Sequence, residues 1–236
     1  MKIELTKRPK NVILIEGFPG FGLIGTIATE FLIEHLQAEQ IGKITSKDIN
    51  PMVAIHESKA VEPLGIFYDK KTNIAILHAL IGVNGLEWQL VDAIKDLCKQ
   101  LTVKEIISVE GVGAMEGNPD SVKTFYYSDD KQAKWVKIGL EPLKEGVVMG
   151  VTGALMLQKD IPLSCVFAET HSKLPDSRAA AKVIEVLDNY LGLKIDYKPL
   201  LKKAEDFESK VKNLLNTNKN AVDMKREKDE DLNYLG

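Results

Sequence analysis

The sequence predicts an α/β domain with a largely parallel sheet, and three observations carry that expectation. Short β-branched runs alternate with longer helical patterns along most of the chain, the pattern of strands linked by crossover helices. Several of the runs are apolar throughout, as strands are when helices cover both faces of the sheet. A length of 236 residues with 44% hydrophobic residues is enough to bury a substantial core.

In chain order, strands are expected at Lys2–Thr6 and Asn11–Ile15, the second leading into the glycine-dense turn Glu16-Gly17-Phe18-Pro19-Gly20-Phe21-Gly22-Leu23-Ile24-Gly25. A helix follows over Gly22–Gln37, then strands at Met52–Ile55, Leu64–Tyr68 and Asn73–Ala79. A second helix is expected over Asn84–Leu101 and a strand over Glu105–Gly111. Helices over Lys131–Lys137 and Thr152–Gln158 precede a strand at Leu163–Glu169. The helix over Asp176–Leu191 is the best defined. Asp176 or Ser177 can accept the free amide hydrogens of its first turn, Ala180, Ile184, Leu187 and Leu191 share one face, and Gly192 permits a left-handed stop.

The composition changes near Lys198. Leu200, Ala204, Phe207, Val211 and Leu214 recur at steps of four and three, placing one narrow apolar stripe on a charged helix. Two heptads suit a terminal helix docked on its own domain better than a free coiled coil, which needs three or more. After it, Asn216–Asn220 is a helix-weak polar run and Lys225–Asp231 has almost nothing to bury, so this end is expected to be flexible. The expected organisation is an α/β domain over 1–196, an amphipathic helix over 197–215 and a charged tail over 216–236. Leu232, Asn233, Tyr234, Leu235 and Gly236 end that tail. Three apolar or aromatic side chains on a flexible tether suit insertion into a partner's pocket, a random terminal sequence being the plain alternative.

Charge narrows the function classes. The formal net charge is −3 and the basic residues are mixed among acidic ones, so no single-sign field gathers nucleic acid or anionic lipid. No apolar run approaches the roughly 20 residues that span a bilayer, and Met1-Lys2-Ile3-Glu4-Leu5 lacks the apolar region of a signal peptide. A cytoplasmic protein is expected, with no membrane partner. The two cysteines, Cys98 and Cys165, have neither metal-ligand spacing nor the density of a disulfide scaffold and read as small core residues.

Gly20-Phe21-Gly22-Leu23-Ile24-Gly25 satisfies the G-x-G-x-x-G dinucleotide fingerprint, between a strand and a helix. The surroundings fit it poorly. Gly17-Phe18-Pro19 intervenes after the strand, and the region Gln40–Ile49 brings its acid, Asp48, late and without a long apolar run. Phe18 and Phe21 stand where a pyrophosphate approaches the backbone. No Gly-Lys-Ser or Gly-Lys-Thr of a P-loop occurs. Sharp turns and close helix–sheet packing also demand glycine, and that reading covers Gly17, Gly20, Gly22 and Gly25 without a cofactor.

Catalytic constellations are poor as well. There is no Gly-x-Ser-x-Gly elbow, no paired histidine on one helical face and no cysteine with an evident base. His78 lies in an apolar strand as a core histidine, and His35 sits late in a helix where a cation suits the dipole. His56 and His171 follow predicted strands, where α/β active sites gather, and are the histidines to follow. Asp129-Asp130 and Glu227–Asp231 read as solvated carboxylates. No catalytic or metal-binding residue is assigned.

Three segments together carry a resemblance. The turn Glu16–Gly25 resembles the N-terminal signature of the archaeal and bacterial relatives of the second proteasome assembly chaperone. Gly146–Leu155, with Gly150 and Gly153, is similar to that family's second glycine-rich segment. Glu169–Ala180, with His171, Pro175 and Asp176, is similar to its third, which precedes the last helix of the domain. The matches run in the expected order over residues 12 to about 190. Ser177 departs from the pattern, where the family often has a second proline, but serine keeps the helix start feasible.

The resemblance implies a three-layer α/β sandwich with a mixed, largely parallel sheet, similar to purine nucleoside phosphorylases but without their chemistry. It implies no cofactor, self-association into rings or small homo-oligomers, with a paralogue as another possible partner, and ATP-independent binding to proteasome α subunits or the core particle. Some archaeal members end in a hydrophobic-Tyr-any tripeptide that enters pockets between α subunits. Here the tyrosine, Tyr234, is third from the end and Asn233 occupies the hydrophobic place. The rival expectation is a small-molecule enzyme, acting on a nucleoside or nucleotide, that uses the same fold and the Gly17–Gly25 turn.

Overall fold

The computed structural model describes residues 1–56, 58–113, 122–170, 174–195 and 202. The predicted helix over 197–215, the tail over 216–236 and His171 lie outside them. Among the described residues the chain forms β1 (Lys2–Leu5), β2 (Ile13–Gly17), a short 3₁₀ turn (Phe21–Leu23), α1 (Ile24–Leu36), β3 (Glu39–Thr45), β4 (Ala54–His56), β5 (Lys59–Val61), β6 (Leu64–Asp69), β7 (Ile74–Ala79), α2 (Glu87–Leu101) and β8 (Glu105–Gly113). There follow β9 (Thr124–Ser128), α3 (Gln132–Lys137), β10 (Glu141–Pro142), α4 (Gly150–Met156), β11 (Leu163–Thr170) and α5 (Ser177–Leu191).

One nine-stranded sheet has the order β1-β3-β6-β7-β2-β8-β11-β9-β10. Its centre is parallel, β2 pairing with β7 and β8, and β8 with β11. The flanks are antiparallel where β6 meets β7, β3 meets β6, β1 meets β3 and β9 meets β11. Helices cover both faces and give the three-layer sandwich. On one face, Leu14, Leu77, Ala79, Ile106, Cys165 and Phe167 pack with Leu90, Ile94 and Leu97 of α2 and Val151 and Leu155 of α4. On the other, Ile15, Ile76, Ile107, Val109 and Val166 pack with Ile24, Ile27 and Leu32 of α1 and Val183, Ile184 and Leu187 of α5. Alternation along each strand therefore assigns every odd or even position to one helical layer.

α5 is built as its sequence predicts. The Asp176 carboxylate accepts the Ala179 amide at 2.9 Å, and Gly192 stops the helix at φ 70°. Its far end is held by a buried network in which Ser164 Oγ and Tyr190 Oη donate to Glu105 at 2.6 and 2.8 Å, while the Trp135 and Tyr190 rings stack at 3.6 Å.

Other elements depart from expectation. α2 starts at Glu87 rather than Asn84, because Gly85 adopts φ 82° and Asn84 stays in the preceding turn. The helix predicted over Thr152–Gln158 runs over Gly150–Met156. β3 occupies Glu39–Thr45, which lacks a continuous apolar run because only Ile41 and Ile44 of it are buried. Met52–Ile55 does not join the main sheet: Ala54–His56 pairs with Lys59–Val61 as a separate two-stranded ribbon. β9, unpredicted, joins the sheet by pairing with β11 some forty residues on and carries β10 on its other edge.

Candidate functional site

The connections leaving the parallel strands diverge between β2 and β8. From β2 the chain crosses under α1 toward β3, and from β8 it moves the other way, toward β9. In α/β sheets the crevice at such a divergence, outside the carboxyl ends of the strands, is where ligands bind. A cleft of about 610 Å³ lies there. Phe18–Phe21 after β2, Gly82–Asn84 after β7, Glu110–Val112 at the end of β8 and Val147–Val151 before and within α4 line it, with Glu87 of α2.

The glycines of the turn are explained by packing. A Cβ at Gly17 would collide with the Gly25 carbonyl, and one at Gly25 would lie 2.6 Å from the Val109 carbonyl and 2.9 Å from that of Phe18. The start of α1 thus sits directly on β2 and β8. Gly22 turns the chain at φ 66° and is followed by Leu23 at φ 50°, a conformation that a side chain adopts at a cost. The turn is held from the far end of the chain: the Asp176 amide donates to the Gly22 carbonyl at 2.8 Å, and Thr170 Oγ1 donates to Asp176 at 2.7 Å. Pro175 and Asp176 are therefore neighbours of Gly22 in space. Gly150 opens α4 at φ 70°, and Gly153 approaches the Val148 carbonyl so closely that a Cβ would stand 2.6 Å from it. Phe18, Pro19, Gly20 and Gly150 all line the cleft. The three sequence segments, far apart along the chain, meet at one end of the sheet.

Sequence reasoning missed the polar groups beneath this cleft. On the α2/α4 face, Glu16 of β2 lies opposite Ser108 of β8, and Glu110 follows two residues on. Glu16 is fully buried, and neither carboxyl oxygen has a hydrogen-bond partner of standard geometry. Burial pushes it up to about 8, Ser108 beside it opposing the rise and Glu110 adding to it. Glu110 accepts from Thr152 Oγ1 at 3.1 Å and is pushed up to about 7, again by burial, with Thr152 and the Gly111 amide opposing. Ser108 Oγ is 2.9 Å from Thr152 Oγ1. The Ser108 hydroxyl has one proton and two neighbours, Thr152 Oγ1 and the Glu16 carboxyl, so its opposition to the burial of Glu16 is partial and the neutral form of Glu16 is favoured. The signal was in the sequence: Glu16, Ser108 and Glu110 interrupt otherwise apolar strands.

Neither His35 nor His78 lines this cleft. His78 is a buried core residue, its Nδ1 2.8 Å from Thr29 Oγ1 and its Nε2 2.9 Å from the Glu30 carboxylate, the latter outside standard hydrogen-bond geometry. His35 stacks on Phe31 in α1. His56 ends β4 in the separate ribbon, which leads into the start of β6 beside the carboxyl end of β7. Cys165 is buried and Cys98 half-buried; burial raises both thiols, Cys98 to about 12, which suits packing rather than nucleophilic chemistry. Among the described residues no group of acidic, histidine or cysteine side chains could hold a metal ion, and no helix is long and apolar enough to cross a membrane.

The model of the PAC2 family matches residues 14–215. The chain belongs to the PAC2 family. An uncharacterised Methanocaldococcus jannaschii protein, MJ0106, is 29% identical over 212 residues, covering 87% of this chain and 86% of its own. PbaA of Pyrococcus furiosus, described as an archaeal homolog of proteasome-assembly chaperone, superposes with a TM-score of 0.81 at 31% identity, over 90% of this chain and 96% of PbaA. PbaB of the same organism, described as an archaeal proteasome activator, shares the fold at a TM-score of 0.74 and 22% identity, over 90% of this chain and 98% of its own. The glycine-rich segments of this PAC2 protein thus belong to a fold that its solved relatives share almost end to end.

Proposed function

We propose that this PAC2 protein is a proteasome-associated assembly factor that binds proteasome α subunits or the core particle and catalyses no reaction. The observation that carries this reading is the likeness to PbaA at 31% identity over 90% of the chain. The surface supports a protein-binding role. Phe21, Trp88, Val147, Met149 and Leu157 are exposed, Val147 by 85%, and they surround the cleft and the adjoining α2/α4 groove. A contiguous apolar patch of this kind marks an interaction surface. In this reading the α/β domain self-associates, and each copy adds its end, Leu232–Gly236, to the grip on the particle. Flexible tethers give millimolar effective concentrations, so individually weak Tyr234 contacts add to firm binding.

Native mass spectrometry of the full-length protein mixed with α subunits, and separately with assembled core particle, tests this. A defined complex with either form is expected, together with a homo-oligomer of the free protein. A stable oligomer that binds neither form overturns the reading. The nucleoside or nucleotide enzyme gains no support from the cleft, whose charged lining side chains, Glu87 and Glu110, are both acidic.

A further inference from the structure

We propose that the cleft at the carboxyl ends of β2 and β8 is a binding site for a small organic cation of the amine or amidine class, with the Glu110 carboxylate as its acceptor. Size and place are those of a ligand site: about 610 Å³ at the divergence of the strand connections. The lining sets the chemistry. Its walls are Phe18, Phe21, Val83, Val112, Val148 and Met149, and among the described residues its charged side chains are Glu87 and Glu110, with no lysine, arginine or histidine. Among the described residues a phosphate or carboxylate entering this space meets two acids and no cation, whereas an amidinium on a flat apolar body meets an acceptor inside apolar walls.

Glu110 is placed as a recessed acceptor. Thr152 holds one of its oxygens at 3.1 Å, and the other packs against Gly20, where a side chain would have to displace the carboxylate. Behind it, in the layer below, the fully buried Glu16 carboxyl has no hydrogen-bond partner of standard geometry, although buried polar groups are nearly always paired. With Glu16 held neutral by its burial, Glu110 is the recessed carboxyl on this face that ionises to meet a cation. Burial holds Glu110 near about 7, so a bound cation releases its proton. This site does not presuppose proteasome binding, and either reading can fail without the other.

Benzamidine is the probe, with benzoate, the same ring bearing the opposite charge, as its control. Titration calorimetry on the full chain is expected to show saturable benzamidine binding and none of benzoate. Affinity rises close to tenfold from about pH 6 to pH 8 as Glu110 ionises, and E110Q weakens it at least tenfold. Methyl resonances of Val148 and Met149 shift on saturation. Absence of saturable binding, equal binding of benzoate, or an affinity unchanged in E110Q overturns the proposal. Should E110Q not fold, the pH profile of the wild type decides, and a flat profile overturns it.

Discussion

Glu16 is a side chain whose ionisation the fold opposes. Its native value is about 8 against 4.5 for the free group, so between these values the native state holds a proton that the unfolded chain has released. Stability from this group is complete below about 4.5 and is lost as pH rises through about 8. The expected outcome is a melting temperature that falls between about pH 5 and pH 8 in the wild type and falls distinctly less in E16Q. Parallel scans by differential scanning calorimetry decide it, and equal slopes would refute the assignment. Gly25 makes a steric prediction instead. In G25A the added methyl must displace the Val109 and Phe18 carbonyls, and a loss of ~3 kcal/mol in urea denaturation is expected. A loss below about 1 kcal/mol would mean that α1 can move away from the sheet.

At the scale of the element, α5 is secured at both ends by polar contacts that its amphipathic pattern does not reveal. D176A removes the cap on Ala179 and the Thr170 contact together and is expected to cost about 2 kcal/mol. Y190F leaves Glu105 with Ser164 as a donor and is expected to cost about 1–3 kcal/mol. Guanidinium denaturation followed by circular dichroism measures both, and a wild-type midpoint in either variant contradicts the contact concerned. The same element shows what was legible in sequence. Asp176, the apolar face and Gly192 are local signals, and all of them lie where local rules put them. The central strands were legible too, because burial on both faces makes them continuously apolar. β3 and β9 were not, since their alternation is broken and their partners are remote in sequence. The glycine turn was legible as a turn, but its neighbours were not: nothing in the spacing of Gly22 and Asp176 says that they touch.

For the whole molecule, the apolar rim and the chain's end are separable. Deleting Leu232–Gly236 is expected to abolish capture of the core particle in pull-down and to leave the oligomeric mass unchanged; undiminished capture would refute a role for the end. The double variant V147K/M149K places two charges on side chains exposed by 85% and 68%, so its melting temperature should stay within a degree or two of wild type. If the rim is the docking surface, capture in the same assay drops at least tenfold. If capture is untouched, the partner binds elsewhere. The cleft and the rim share Met149 and Phe21, so occupancy of one is positioned to affect the other.

The sheet order has a further consequence for a chain that emerges from the ribosome one end first. β11, made of Leu163–Thr170, sits between β8 and β9, both of which are synthesised before it. Until it emerges, β8 has an open edge of backbone donors and acceptors, and β9 has only the two-residue β10 to pair with and no link to the rest of the sheet. The clasp between Gly22 and Asp176 is likewise missing until then. A nascent chain halted before residue 163 should therefore present a sticky, half-finished sheet, and stalled or truncated copies are the ones most prone to pair wrongly with each other.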